Sequence, residues 1–168
     1  EFNGIKFFDS KGLKLPDAVE DQIQAHIDQG THLHLPEGTN IGHVTLDEDG
    51  LNAYSDYIVK AMDGVTLEGI KVAVDCANGA ASKVGPETLK GLDAKVYSIH
   101  HEPDGSNIND QCGSTHMNDL KQFVKVVGAD IGIAFDGDAD RLLAIDENGD
   151  DVDGDKIMAI CGRFLKEH

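Results

Sequence analysis

Between residues 70 and 167 short apolar runs alternate with stretches of helical spacing, and one pair of runs is separated only by "DGDAD". The runs "IKVAVDC", "AKVYSI", "ADIGIAF" and "RLLAID" have strand length and β-branched content, while "NGAASKVGPETLKGL", "MNDLKQFVKVVG" and "GDKIMAICGRFLKE" have the length and apolar spacing of helices. Strands joined by crossover helices imply an α/β fold in which each helix covers a sheet face. Five residues between the third and fourth strands leave room only for a tight reversal, so the sheet is expected to be mixed.

Upstream, "IKFF" at residues 5–8 reads as a short strand, and Pro16 opens a helix that runs to about Gln29 and stops at Gly30. Residues 30–50 lack a sustained period and read as a connection, which places a domain boundary near residue 46. Leu51, Tyr54, Ile58 and Met62 are spaced to form one buried helical stripe. The expected organisation is a truncated first α/β domain over 1–46 and a second α/β domain over 47–168.

Charge narrows the function. Fourteen Lys and Arg against thirty-one Asp and Glu give a formal net charge of −17, a field that opposes nucleic acid and anionic membrane surfaces. No apolar run reaches the ~20 residues of a membrane span. Three cysteines, Cys76, Cys112 and Cys161, at irregular spacing argue against a disulfide framework and for a reducing compartment, with the cytoplasm as the expectation. The chain begins at Glu1 rather than Met, which fits a piece of a longer polypeptide.

The strand-to-strand loop holds the chemistry. Asp136, Asp138 and Asp140 stand at every second position, separated by Gly137 and Ala139 and followed by Arg141. Carboxylates gathered that closely raise one another's pKa unless a cation neutralises them. Oxygen ligands without Cys or His favour Mg²⁺ or Ca²⁺ over Zn²⁺. Three carboxylates and a dication leave about one negative charge, which Arg141 can balance. The plainer reading is a solvated Asp-Gly turn.

Three kinds of site could use such a loop. In a calcium EF-hand, Asp136, Asp138, Asp140 and Glu147 would occupy the first, third, fifth and twelfth positions, but Arg141 stands where a glycine is needed and a strand-like run precedes. In a haloacid-dehalogenase-type phosphatase, Asp136 would be the nucleophile and Asp138 the acid/base, with Ala139 at a position where that family has Thr or Val.

The third fit is closer. "DGDADR" after an apolar strand, followed by "DENGDDVDGDKI", resembles the metal loop of the α-D-phosphohexomutases. "NGIKFF" is similar to the segment that follows the phosphoserine in that family, "VAVDCANGAAS" to the opening of its second domain, and "NINDQCGSTH" to its phosphoglucosamine mutase branch. The resemblance implies an α-D-phosphohexomutase domain type, Mg²⁺ held by Asp136, Asp138 and Asp140, and Arg141 steadying the acidic cluster. It also implies Lys6 as proton carrier and charge stabiliser beside the reacting phosphoryl group. The implied partners are a phosphorylated amino sugar and the missing domains of the same polypeptide, which would carry the sugar-recognition and phosphate-binding loops. The implied phosphoserine would lie about five residues before Glu1 by family spacing. Its phosphoryl would pass to a hexose 6-phosphate, give a bisphosphate and leave a 1-phosphate; the isolated chain is then expected to be inactive.

Other residues read as structural. Ser114 and His116 are too close in sequence to make a nucleophile and base on spacing alone. Cys112 reads as a small buried side chain, His32 and His34 as a surface pair, "DCANGA" as a strand-to-helix turn, and Asp153 and Asp155 as caps for the last helix.

Overall fold

A computed structural model describes residues 7–30, 36–47 and 49–167. The chain divides into two compact units, Glu1–Leu46 and Asp47–His168. In the first, helix α1 spans Asp17–Asp28, entered through Pro16. Pro fixes φ and has no N–H, so it fits a helix start. Lys14 Nζ lies 3.0 Å from both Asp17 and Glu20 in the first turn. The strand expected at residues 5–8 is reduced, in its described part, to a single antiparallel bridge between Phe8 and Lys14. Phe7 and Phe8 are exposed, so among the described residues burial does not extend the pairing. Among the described residues of the connection, Gly38–Asn40 forms a 3₁₀ turn.

The second unit opens with helix α2, Gly50–Ala61, whose start is held by Asp47 Oδ1 accepting from the backbone N–H groups of Asp49 and Gly50. The stripe read from the sequence is displaced. Tyr54 is exposed and Ser55 is the buried residue, its hydroxyl 3.1 Å from that of Thr88. That hydroxyl pair turns the Ser55 face toward the neighbouring helix, so Tyr54, one position away, faces outward.

Five strands follow: β1 Lys71–Asp75, β2 Lys95–Ile99, β3 Ile131–Phe135, β4 Leu142–Asp146 and β5 Asp151–Val152. They form one mixed sheet in the order β2-β1-β3-β4-β5. β1 pairs in parallel with β2 and β3, and β4 runs antiparallel between β3 and β5. β1 lies between two parallel neighbours and under helices on both faces, which is why "VAVD" is buried throughout. Helix α3, Ala81–Gly91, links β1 to β2, and helix α4, Asn118–Val127, links β2 to β3. Val72, Val74, Cys76 and Ala81 build the core on the α3 side, with Ile131, Ile133 and Phe135 packed against it. Ala73, Ala134 and Ile145 meet Leu120 and Val124 of α4 on the other. The last helix, α5, spans Gly154–Glu167 and starts with Asp153 Oδ1 accepting from the Lys156 N–H at 2.9 Å, the cap expected there. Ile157, Ile160 and Cys161 of α5 line an apolar cleft with Ile131, Ile133 and Val152.

Among the described residues no helix is long and apolar enough to cross a membrane.

Candidate metal centre

The registers Asp75↔Ile99 and Asp75↔Ala134 bring the carboxyl ends of β1, β2 and β3 to one edge of the sheet. Ligand sites in open α/β sheets collect at that edge. The loop 136–141 leaves it directly from β3 and returns as β4, closed by the Phe135↔Leu142 pair. Inside the loop, Ala139 N–H bonds the Asp136 carbonyl at 3.1 Å, and Ala139 adopts φ 60°, a left-handed conformation that costs an alanine energy. This turn brings one carboxylate oxygen each of Asp136, Asp138 and Asp140 within 4.8 Å of one another, with Asp136 buried and the other two exposed.

Asp136 anchors the group. Its Oδ1 accepts from the Arg141 backbone N–H at 3.0 Å, and its Oδ2 accepts from Arg141 Nε at 2.8 Å and lies 2.8 Å from Nη2. Burial pushes the Asp136 carboxyl up, but these bonds and the guanidinium charge outweigh it and leave the pKa lowered. Asp140 goes the other way. The charge of Asp138, then burial, then the charge of Asp136 raise its pKa. The Arg141 pKa is raised, first by its hydrogen bond to Asp136. Arg141 mainly serves the buried carboxylate and reaches Asp140 only at 3.6 Å, too weakly to offset the charge of Asp138, so the loop is a donor set of hard oxygens that fits Mg²⁺ or Ca²⁺. The EF-hand reading is excluded by topology, since β3 and not a helix leads into Asp136.

A second loop braces the first. Gly79 packs so close to Gly137 that a Cβ there would stand 2.8 Å from the Gly137 Cα and carbonyl carbon, and Ala80 N–H donates to the Gly137 carbonyl at 2.9 Å. "DCANGA" is therefore structural, as read, but its structure supports the acidic loop. Because backbone blocks the methyl, Gly79→Ala is expected to cost about 1–3 kcal/mol of stability and to weaken Mg²⁺ binding as well. Thermal unfolding and a Mg²⁺ titration of the variant check this; unchanged Mg²⁺ affinity would show that the contact does not position the loop.

Cys112 is fully buried, and a 3₁₀ turn at Gly113–Thr115 follows it. His116 Nδ1 lies 3.1 Å from Thr115 Oγ1, a contact within the loop. Lys6, His32 and His34 lie outside the described residues.

The family described as phosphoglucomutase/phosphomannomutase, alpha/beta/alpha domain II, matches residues 52–149. The chain belongs to that family. Phosphoglucosamine mutase of Ruminiclostridium cellulolyticum is 55% identical over 168 residues, covering 99% of this chain and 37% of that protein. The protein of the same name from Acetivibrio thermocellus is 54% identical over the same shares. The chain spans little more than a third of the length of these curated relatives. A crystal structure of a phosphoglucomutase/phosphomannomutase family protein from Burkholderia thailandensis superposes with a TM-score of 0.64 at 23% identity, covering 90% of this chain and 32% of that one. That likeness establishes the mixed α/β architecture as the family's.

Proposed function

We propose that this chain is the metal-binding part of a phosphohexomutase that interconverts glucosamine 6-phosphate and glucosamine 1-phosphate. The observation that carries the reading is the convergence of Asp136, Asp138 and Asp140 at the sheet edge, in a chain 55% identical across nearly its whole length to a protein named phosphoglucosamine mutase. Those three carboxylates would hold Mg²⁺, which supplies charge stabilisation for phosphoryl oxygens. Arg141 acts through Asp136 and is a positioning residue: it fixes the buried carboxylate and neutralises it. Lys6 is assigned the role of proton carrier by family resemblance. The phosphoserine and the loops that recognise the sugar and its phosphate belong to the remaining length of such a protein, and the bisphosphate forms when the serine's phosphoryl reaches the hexose 6-phosphate. A phosphoserine carries about −1.5 to −2 charge, so beside three aspartates it requires the cation.

The test compares two proteins. A full-length protein carrying this segment is expected to convert glucosamine 6-phosphate to the 1-phosphate, while the isolated chain of 168 residues shows no turnover. Failure of the full-length protein on that sugar overturns the substrate assignment. Hydrolysis of a generic aryl phosphate by the isolated chain, abolished by Asp136→Asn, would replace the mutase reading with a phosphatase.

A further inference from the structure

The carboxyl edge of the sheet holds a second cluster that the acidic loop does not use. Asp75 ends β1 and is fully buried; His100 follows β2; Cys112, also fully buried, lies in the connection to α4. One oxygen of Asp75, one ring nitrogen of His100 and the sulfur of Cys112 all lie within 4.8 Å of one another. From these residues we propose a binding site for a borderline-soft divalent cation, Zn²⁺ by preference, distinct from the oxygen-only site at residues 136–140.

The donor set makes the distinction. Thiolate with imidazole selects Zn²⁺ and related transition metals, whereas Mg²⁺ takes oxygen. Zn²⁺ bonds of about 2.0–2.3 Å arranged tetrahedrally separate neighbouring ligand atoms by about 3.3–3.5 Å. His100 Nδ1 stands 3.0 Å from Asp75 Oδ2 in a hydrogen bond that a metal would replace, and the Cys112 sulfur lies within 4.8 Å of both partners' ligand atoms. The carboxylate is also pre-oriented. Oδ1 accepts from Ala77 N–H and Oδ2 from Gly113 N–H, both at 2.9 Å, so backbone donors hold it in place of the outer partners that metal-ligating carboxylates need. His100 itself sits at φ 47°, an uncommon conformation for a residue with a side chain, and its ring is what the turn presents to Asp75.

Access comes through the imidazole. The His100 side chain is 27% exposed and borders two surface depressions, one with Asp119 and Phe123, the other with Asn78 and Asn107. Burial, then the nearby charges of Asp75, Asp110 and Asp119, push the Cys112 thiol up to about 11, so without metal it stays protonated. Binding exchanges the S–H proton for the metal and releases it to solvent. Three protein ligands leave a fourth position for water. Occupancy would tie Cys112 and the Gly113–Thr115 turn to β1, and Gly113 packs against the Phe135 carbonyl at the mouth of the acidic loop.

Co²⁺ is the probe, because a thiolate ligand gives it a charge-transfer absorption that oxygen ligands do not. The full 168-residue chain, with Mg²⁺ in excess, is titrated with Co²⁺ and then back-titrated with Zn²⁺. A saturable band removed by Zn²⁺ is expected. Cys112→Ser is expected to lose it, and His100→Ala to weaken Co²⁺ binding by at least about 10–100-fold. Cys161→Ser, which removes the exposed thiol, and Asp138→Asn are expected to keep it. No band in the folded wild-type chain overturns the site, as does a band that survives Cys112→Ser or disappears with Cys161→Ser. A failure here leaves the acidic loop and the mutase reading untouched, since neither uses these three residues.

Discussion

Asp138→Asn is expected to abolish measurable Mg²⁺ stabilisation of the chain while leaving the metal-free protein at least as stable as the wild type. The two effects share one cause. The Asp138 carboxylate is the largest contributor to the raised pKa of Asp140, so in the absence of a cation the two charges oppose each other in the folded state. The sign follows from linkage. A carboxyl whose folded pKa is raised subtracts stability as pH climbs from its ordinary value through the raised one, and at neutral pH the penalty is fully in place. Removing the neighbour's charge lifts it. Asp136 has the opposite sign: its lowered pKa contributes stability that is present above the ordinary carboxylate value and is lost as pH falls through the lowered one. Metal at the proposed site is expected to reverse the balance for the wild type. A ligand at a hundred times its dissociation constant stabilises the folded state by about 2.7 kcal/mol, and for Mg²⁺ on the proposed three-carboxylate set the loss of one oxygen is expected to remove that gain. On acidification Asp140 protonates before Asp136, so Mg²⁺ affinity is expected to fall while the buried carboxylate is still ionised. Thermal unfolding with and without Mg²⁺, repeated across a series of acid pH values, measures both. An unaltered Mg²⁺ shift in Asp138→Asn would remove that residue from the ligand set.

How much of this was legible in the sequence differs between the sheet and its rim. β1 was readable because it lies between parallel strands under covering helices, and β3, between parallel β1 and antiparallel β4, because every residue of it is buried or half-buried, so the apolar run itself is the signal. β5 was not, because Asp151–Val152 is a two-residue edge strand in an acidic stretch, held by pairing with Ala144 and Ile145 rather than by burial. The stripe of α2 was misplaced by the Ser55–Thr88 hydroxyl pair, which hydrophobic spacing cannot see. The acidic triple was legible because its members are two residues apart. Asp75 ends β1 while His100 and Cys112 stand twelve residues apart in the connection from β2 to α4, and only the sheet register brings the three together. A usable signal did exist. "VAVD" and "IAFD" both end an apolar strand in a carboxylate, which marks Asp75 and Asp136 as occupants of the same edge.

The remaining large effect lies under α4. Leu120→Ala is expected to destabilise the second unit by about 3–5 kcal/mol, the upper part of the range for a buried leucine. The position within that range depends on how far the surroundings can collapse into the hole. Leu120 is fully buried and rests with Val124 on Ala73, Ala134, Gly132 and Ile145. Small residues let the helix approach closely: a Cβ on Gly132 would stand 2.6 Å from Val124 Cγ2 and 3.4 Å from Leu120 Cγ. Ala73, Ala134 and Gly132 have no side chain that can swing into a vacated space, and Ile145 is already fully buried in a paired strand. The strand beneath is fixed by β1 on one side and β4 on the other, and α4 is held by its Gly128 C-cap and by the Lys121–Asp151 ion pair at 2.7 Å, so neither layer can sink far. A void therefore persists, and its lining loses dispersion contacts that are not replaced. For a unit of this size the drop in Tm is on the order of 10 °C. Urea unfolding should show a lower midpoint with an unchanged slope, because the surface exposed on unfolding hardly changes. A loss below about 1.5 kcal/mol would mean that α4 does settle into the gap, and Gly132→Ala would then be tolerated as well.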